Sequence, residues 1–340
     1  MPTLFPLQLP DWPRAGGAPR GRGRLRVQPE DFRVDEQSDI ALAGEGEHDW
    51  LHIEKRGANT AWVARQLARH AGVPVRDVGY AGLKDRHALT TQWFSVLRPA
   101  GRACDWTTLA LPGVRVLELG RHARKLRRGA HRGNAFLIRV REFAGEPDEA
   151  LARIRAGGVP NYFGEQRFGR DGANLELAEA LLGGRRLRRD ARSLALSAAR
   201  SFLFNEVLAR RVTDGSWQRL LPGDVALLAG SRSRFSVEAV DDALAARCRE
   251  QDLHPSGPLW GRMQEPAAQS APEREVLAQH AQLAAALEPL ADADRRALRL
   301  VVEDLEWNAA PGELTLSFRL APGAFATAVL REILSPRAPQ

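Results

Sequence analysis

The sequence predicts an α+β protein of two domains, on three observations. At 340 residues the chain is long enough to bury two proper cores. Segments of alternating apolar and polar residues, the pattern of half-buried strands, fall in the first part and again near the end. From about Arg185 the character shifts to long amphipathic and alanine-rich helical patterns.

The elements follow in order. Residues 1–22 are rich in Pro, Gly and Arg and read as irregular. Arg24–Val27 and Phe32–Glu36 are expected to pair as short strands around Pro29. Gly44 to His48 reads as a solvated turn entering a strand, in which Leu51, Ile53 and Lys55 alternate with Trp50, His52 and Glu54. Asn59 is a helix N-cap for residues 60–71; Val63, Ala64, Leu67, Ala68 and Ala71 share one face, and Gly72 ends the helix. Gly79–Val96 reads as strand, loop, strand. Strands are expected at Val114–Glu118 and Gly133–Glu142, forming a β-hairpin whose tip carries Arg121, Arg124, Lys125, Arg127, Arg128 and Arg132. A short helix begins at Pro147. Residues 185–212 read as a long amphipathic helix. Gly223, Asp224, Gly230 and the run Arg232-Ser-Arg234 mark turns between short strands, Asp241–Glu250 is helical, and residues 253–272 are Pro/Gly/Ser-rich. Pro272–Leu300 reads as a long helical region. Strands over Leu300–Asn308 and Glu313–Leu320 return to the first sheet, and Leu320–Glu332 turns into a closing helix.

Composition narrows the function. Hydrophobic content of 44% and charged content of 27% are ordinary for a globular chain. No apolar run approaches the roughly 20 residues that span a membrane. The proline-broken N-terminus does not read as a signal peptide. Cys104 and Cys248 supply neither a disulfide framework nor zinc-ligand spacing, and the scattered histidines suggest no metal site. A cytoplasmic monomer without cofactor is the expectation. Net charge of +7 favours a polyanionic partner: RNA, DNA or an anionic membrane surface. Nearly all basic residues are arginine, and lysine occurs only at 55, 84 and 125. Its retention at 84 hints that this position requires an ammonium. The basic run 121–132 contains no interleaved acid, which suits an anionic partner.

The chemistry centres on Gly-Leu-Lys-Asp-Arg-His, residues 82–87. Asp85 stands between Lys84 and Arg86, so its charged form is favoured. That suits a nucleophile or an electrostatic anchor better than a general acid.

GYAGLKDRHALTTQW, from Gly79, resembles the signature of the D-type tRNA pseudouridine synthases (TruD). PEDFRVDE at 29–36, PNYFGEQRFG at 160–169 and LAPGAFATAVLRE at 320–332 resemble three further motifs, in the family's order. The resemblance implies a catalytic domain with a mixed, mainly antiparallel sheet flanked by helices, formed by residues 1–184 and 300–340. It also implies an α/β insertion domain at 185–299, whose basic helix would clamp RNA. Asp85 would be the catalytic nucleophile. Phe32 would contact the target base, Asn161 would hydrogen-bond in the pocket beside Phe163, and Phe325 would line it. Arg26 and Lys84 are candidates to pair with Asp85, with Arg26 better placed just ahead of the Phe32 motif. Tyr80 would lie against the sugar or act as a base, and Gln166 and Arg167 would hold flanking backbone. The basic run would bind tRNA phosphates. The implied reaction turns uridine 13 of the tRNA D-stem into pseudouridine, on a base flipped out of its stack. Two other classes stay open: a tRNA-binding or folding-assistance protein without activity, and a metal-dependent phosphate-cleaving enzyme using Asp31, Asp35, Glu36 and Asp85.

Overall fold

The computed structural model describes residues 3–98, 103–231, 233–263 and 269–335; the expected turn residue Arg232 lies outside them. In chain order the first strands are β1 (Arg22–Arg24), β2 (Phe32–Gln37) and β3 (His48–Arg56), followed by helix α1 (Thr60–Ala71). Then come β4 (Val78–Tyr80), β5 (Leu89–Leu97), β6 (Val114–His122), β7 (Gly133–Ala144) and α2 (Asp148–Gly157). The middle contains β8 (Val159–Pro160), α3 (Glu165–Phe168), α4 (Ala173–Leu182), α5 (Arg189–Thr213), β9 (Val225–Leu228), β10 (Arg234–Ser236) and α6 (Asp242–Arg249). It continues through β11 (Leu253–Leu259), α7 (Ala271–Gln279), α8 (Ala281–Leu287), β12 (Asp294–Ala297) and β13 (Arg299–Leu300). The chain closes with β14 (Glu303–Ala310), β15 (Gly312–Leu320) and α9 (Ala326–Leu330).

Two compact units result. One contains residues 20–151 and 302–324; the other contains 1–19, 152–301 and 325–335. These limits differ from the expected divisions after 184 and 299. Phe163, Phe168 and Leu175 share one core with Phe202, Leu203 and Phe204 of α5, so the chain from 152 belongs with the helical unit. Half-buried Phe325 packs against the same core.

Among the described residues, the sheet unit carries nine strands in the order β14-β15-β7-β2-β5-β3-β6, with β1 beside β7 and β4 beside β5. Among these strands β2 and β5 run parallel, and the other described pairings are antiparallel. α1 covers the sheet with Val63, Ala64 and Leu67 against Leu51, Ile53 and Phe94. The Asn59 side chain accepts from Ala61 N, and Gly72 ends the helix at φ 66°, where a side chain would be strained.

Two expected pairings do not form. β1 pairs with β7 and not with β2, because Pro29–Asp31 forms a 3-10 turn between them. β6 and β7 make no hairpin, since β2, β5 and β3 lie between them. The cause is burial. β7 buries alternate residues Phe136, Ile138 and Val140 and takes a central place, whereas β6 has no such face and forms an edge. The linking residues 123–132 also exceed the length of a tight hairpin turn.

In the helical unit, Phe202, Leu203, Phe204 and Leu208 of α5 form the centre of the core. α5 begins at Arg189, four residues later than the basic run suggests. The helical reading of 272–300 holds only through α8. Asp294–Ala297 pairs with β11 and Arg299–Leu300 with β8, so strand pairing overrides the alanine-rich propensity. β11 contains Pro255 and Pro258, yet it pairs with β9 over 253–255 and with β12 over 256–259. Each half therefore has one strand neighbour, an arrangement that tolerates proline.

Candidate active site

In the sheet unit, Asp85 sits in the loop between β4 and β5, whose strands pair from Val78↔Val96 to Tyr80↔Phe94. The loop is tied down through the backbone of Gly82, Lys84 and Asp85. Gln92 Nε2 donates to Gly82 O at 3.1 Å. Lys84 N donates to Thr60 Oγ1 at 3.0 Å, and that hydroxyl donates to Gln92 Oε1 at 2.8 Å. Lys55 Nζ donates to the carbonyls of Ala58, Lys84 and Asp85 at 2.8, 3.4 and 2.9 Å. With its backbone fixed, the Asp85 carboxylate has a defined position.

Its cation is Arg26, whose Nη2 lies 2.7 Å from Asp85 Oδ2. Arg26 adopts φ 55°, a left-handed backbone that is strained for a non-glycine residue and recurs at functional sites. Its guanidinium also lies over the Phe32 ring, 4.1 Å from the centroid. Phe32 is 2% exposed and meets Phe136 edge-on. The ring is therefore covered, not held open as a stacking face. Burying the ring and placing a cation on it is more favourable than leaving it to water.

Lys84 does not pair with Asp85. Its ammonium forms a buried ion pair with Glu36 at 2.6 Å, and Glu36 accepts from Trp93 N through its other oxygen. Lys84 thus braces the loop from β2. The remaining carboxylates are engaged separately: Asp31 by Arg141, Asp35 by Arg33 and Thr91. Among the described residues no three His, Cys, Asp or Glu side chains converge as metal ligands.

The basic residues 121–132 also belong to this unit. The six cations are exposed. Leu126 is buried with Trp50, Trp93 and Ala81, and Gly129 N donates to Ala81 O, just before the Asp85 loop. Arg128 consequently lies over the Tyr80 ring at 3.7 Å. Arg121 donates to Gly46 O, Lys125 to Arg76 O, and Arg132 pairs with Asp39.

In the helical unit, Asn161 follows β8, which β13 holds by antiparallel pairing. Both ends of its amide are engaged: Oδ1 accepts from Arg296 Nη2 at 2.5 Å, and Nδ2 donates to Ala297 O at 2.8 Å. An amide group carries two N–H donors and two acceptor lone pairs, and these two bonds use one of each. The Arg296 guanidinium lies 4.2 Å over the Phe163 ring, and Arg167 approaches the same ring at 4.9 Å. Burial, with Arg167 nearby, pushes the Arg296 guanidinium down to about 10. Asn205 clamps Phe163 by accepting from its N–H and donating to its carbonyl, both at 2.9 Å. Phe325 caps α9.

The structure thus joins Arg26, Phe32 and Asp85 in one unit, and Asn161 and Phe163 around Arg296 in the other. Lys55, Glu36, Arg296 and Asn205 are supporting residues that motif reasoning misses. Lys55 carries a signal, since it falls on the inward row of Leu51 and Ile53. Asn205 carries one as a polar residue amid the apolar face of α5.

A family model described as tRNA pseudouridine synthase D (TruD) matches residues 16–186 and 177–333. The chain is 50% identical to "tRNA pseudouridine synthase D" of Nitrosococcus oceani, covering 94% of this chain and 92% of the relative. It is 50% identical to the protein of that name in Methylococcus capsulatus, covering 95% and 94%. The fold is similar to a tRNA pseudouridine synthase D (TruD) crystal structure from Methanosarcina mazei, with a TM-score of 0.73 at 22% identity, covering 96% of each chain.

Proposed function

The chain belongs to the tRNA pseudouridine synthase D (TruD) family, and from that premise we propose that it isomerises uridine 13 in the D-stem of tRNA, with Asp85 as the acting carboxylate. The observation that carries this reading is the ion pair of Asp85 with Arg26, on a loop whose backbone is bonded at Gly82, Lys84 and Asp85.

The reaction breaks the N1–C1′ bond, turns the uracil and joins C5 to C1′; the C5 proton is lost and N1 gains one. It is redox-neutral. Asp85 either attacks C1′ to form a covalent ester or removes a C2′ proton to leave a glycal. Both routes need the carboxylate as its anion, and the Arg26 guanidinium lies 2.7 Å from it. Arg26 also keeps that carboxylate directed as the base departs.

Flipping the uridine costs a few kcal/mol of unstacking. Asn161 offsets part of it through its remaining N–H and lone pair, directed to the imide edge of uracil, and Phe325 and Phe163 line the base. Phe32 supports Arg26 and reaches a base only where the guanidinium leaves its ring. Tyr80 lies by the sugar, and Gln166 and Arg167 hold flanking backbone. Residues 121–132 bind tRNA phosphates, and the basic flank of α5 clamps the RNA. The enzyme works as a cytoplasmic monomer without cofactor.

The test is pseudouridine mapping in tRNA from cells lacking this protein, complemented with wild type or Asp85→Asn. Position 13 is expected to stay uridine with Asp85→Asn, which still binds tRNA within about threefold, while catalysis falls by roughly 10⁴-fold. Modification restored by Asp85→Asn would refute the role of the carboxylate.

A further inference from the structure

We propose that Lys55 is a positioning residue for the reaction: its ammonium, bonded to the carbonyls of Ala58, Lys84 and Asp85, holds the loop in the shape that presents the Asp85 carboxylate. The inference rests on the reading of Asp85 as the acting group.

Lys55 lies on β3 in the inward row of Leu51 and Ile53 and is completely buried. A buried ammonium is costly unless its hydrogens are bonded. Here three N–H groups meet three carbonyls, at 2.8, 2.9 and 3.4 Å. Two of the acceptors are the successive carbonyls of Lys84 and Asp85, so one charge fixes the peptide planes on both sides of the Asp85 α-carbon. An apolar residue would leave these carbonyls unbonded at this point. Arginine would replace a compact three-way donor with a larger planar fork. That lysine stands here is notable in a chain with only three.

The geometry also makes the loop sensitive to pH. The charged groups acting on Lys55 are Asp85, which favours the ammonium, and Lys84, which opposes it. The strands on either side present Thr90 and Val114 opposite it, neither of them charged. Burial dominates and lowers the ammonium from 10.5 to about 8. Above that pH a neutral amine keeps two N–H groups and turns a lone pair toward a carbonyl. The loop then loses one of its ties.

The experiment follows tritium release from tRNA carrying [5-³H]uridine, since C5 loses its hydrogen when it joins C1′. Wild type, Lys55→Met, Lys55→Arg and Asp85→Asn are compared from pH 6.5 to 9.5. Wild-type kcat is expected to fall as pH rises through about 8. In Lys55→Met, kcat falls by roughly 100-fold, as for a carboxylate misplaced by about 1 Å, while KM for tRNA stays within threefold. The alkaline limb is absent from Lys55→Met and Lys55→Arg, because neither side chain titrates there. If Lys55→Met fails to fold, judged by circular dichroism, the wild-type limb and its loss in Lys55→Arg decide. A wild-type profile without the limb, a limb kept in Lys55→Arg, or Lys55→Met within threefold of wild type overturns the proposal. Full activity of Lys55→Met beside inactive Asp85→Asn defeats Lys55 alone; active Asp85→Asn defeats the underlying reading.

Discussion

Asp85 in the sheet unit and Asn161 in the helical unit are each held by an arginine lying on a phenylalanine ring, yet the two arrangements differ in exposure. The Arg26 and Asp85 side chains are 26% and 36% exposed, whereas Asn161 is 7% exposed. The difference follows from what each arginine does. Arg26 pairs with a charge, and an ion pair can stay partly hydrated. Arg296 sets an orientation. A guanidinium only donates, so the acceptor end of the Asn161 amide must face it, and the donor end turns to Ala297 O. Orientation of a neutral group survives only where water cannot offer either end a substitute. The buried cations of the sheet unit are engaged away from the carboxylate itself, Lys55 on carbonyls of the loop and Lys84 on Glu36.

Replacing Arg26 probes the exposed half of this comparison. A charge-assisted hydrogen bond contributes about 1.5–3 kcal/mol, and partial exposure reduces that to about 1–2 kcal/mol. Arg26→Gln is expected to lower kcat by roughly 5- to 30-fold, with Arg26→Lys recovering part of the loss and tRNA affinity little changed. Single-turnover rates measure it. An unchanged rate would mean that Asp85 needs no cation.

Lys55 sharpens the comparison through stability. Its folded value is below the unfolded one, so between about 8 and 10.5 the unfolded chain binds more protons than the native one. The cost of burying the ammonium is thus in force below about pH 8 and is relieved as pH rises toward 10.5. Relative to Lys55→Met, wild-type unfolding free energy should rise by about 2 kcal/mol from pH 7.5 to 9.5, over the range in which kcat falls. Urea unfolding at each pH gives the difference. Stability and activity falling together would show that the charge maintains the fold instead of the loop.

What the sequence makes legible follows the same division between local and distant causes. The Asn59 cap, the Gly72 stop and the Asp85 loop are written in adjacent residues and form as expected. Arg26 pairs with Asp85 across 59 positions, and its place ahead of the Phe32 motif is the only pointer. The Lys84–Glu36 pair is hidden because Lys84 is adjacent to Asp85 in sequence but is directed to another strand. Arg296 is obscured more deeply. It lies in a stretch whose alanine content suggests helix, and only pairing with β11 makes it a strand residue. Consecutive strands often pair, which is why β6 and β7 read as a hairpin; the buried face of β7 requires two neighbours that β6 cannot supply.

Arg296→Met tests the buried half. It leaves the Asn161 acceptor without its guanidinium and removes a cation from the Phe163 ring. Thermal unfolding should report a loss of about 1–3 kcal/mol. Catalysis should fall by roughly tenfold in kcat/KM, because the amide can then rotate. The variant should also accept cytidine-containing analogues at the target position more readily, since a reversed amide suits the cytosine edge. Unaltered base discrimination would show that Ala297 O alone orients Asn161.

The smallest effect belongs to the exposed arginines of residues 121–132, where no group is held for chemistry. Removing one phosphate-binding cation should reduce the salt slope of tRNA affinity by about one unit. Arg124→Gln with Arg127→Gln is expected to weaken binding a few-fold at low salt, with kcat within twofold. Arg132→Gln should do less, because Asp39 already opposes that charge. Filter binding across salt concentrations separates the two cases. A slope change for Arg132→Gln half that of the double variant would mean that Arg132 contributes as fully as its neighbours, and that Asp39 is displaced when RNA arrives.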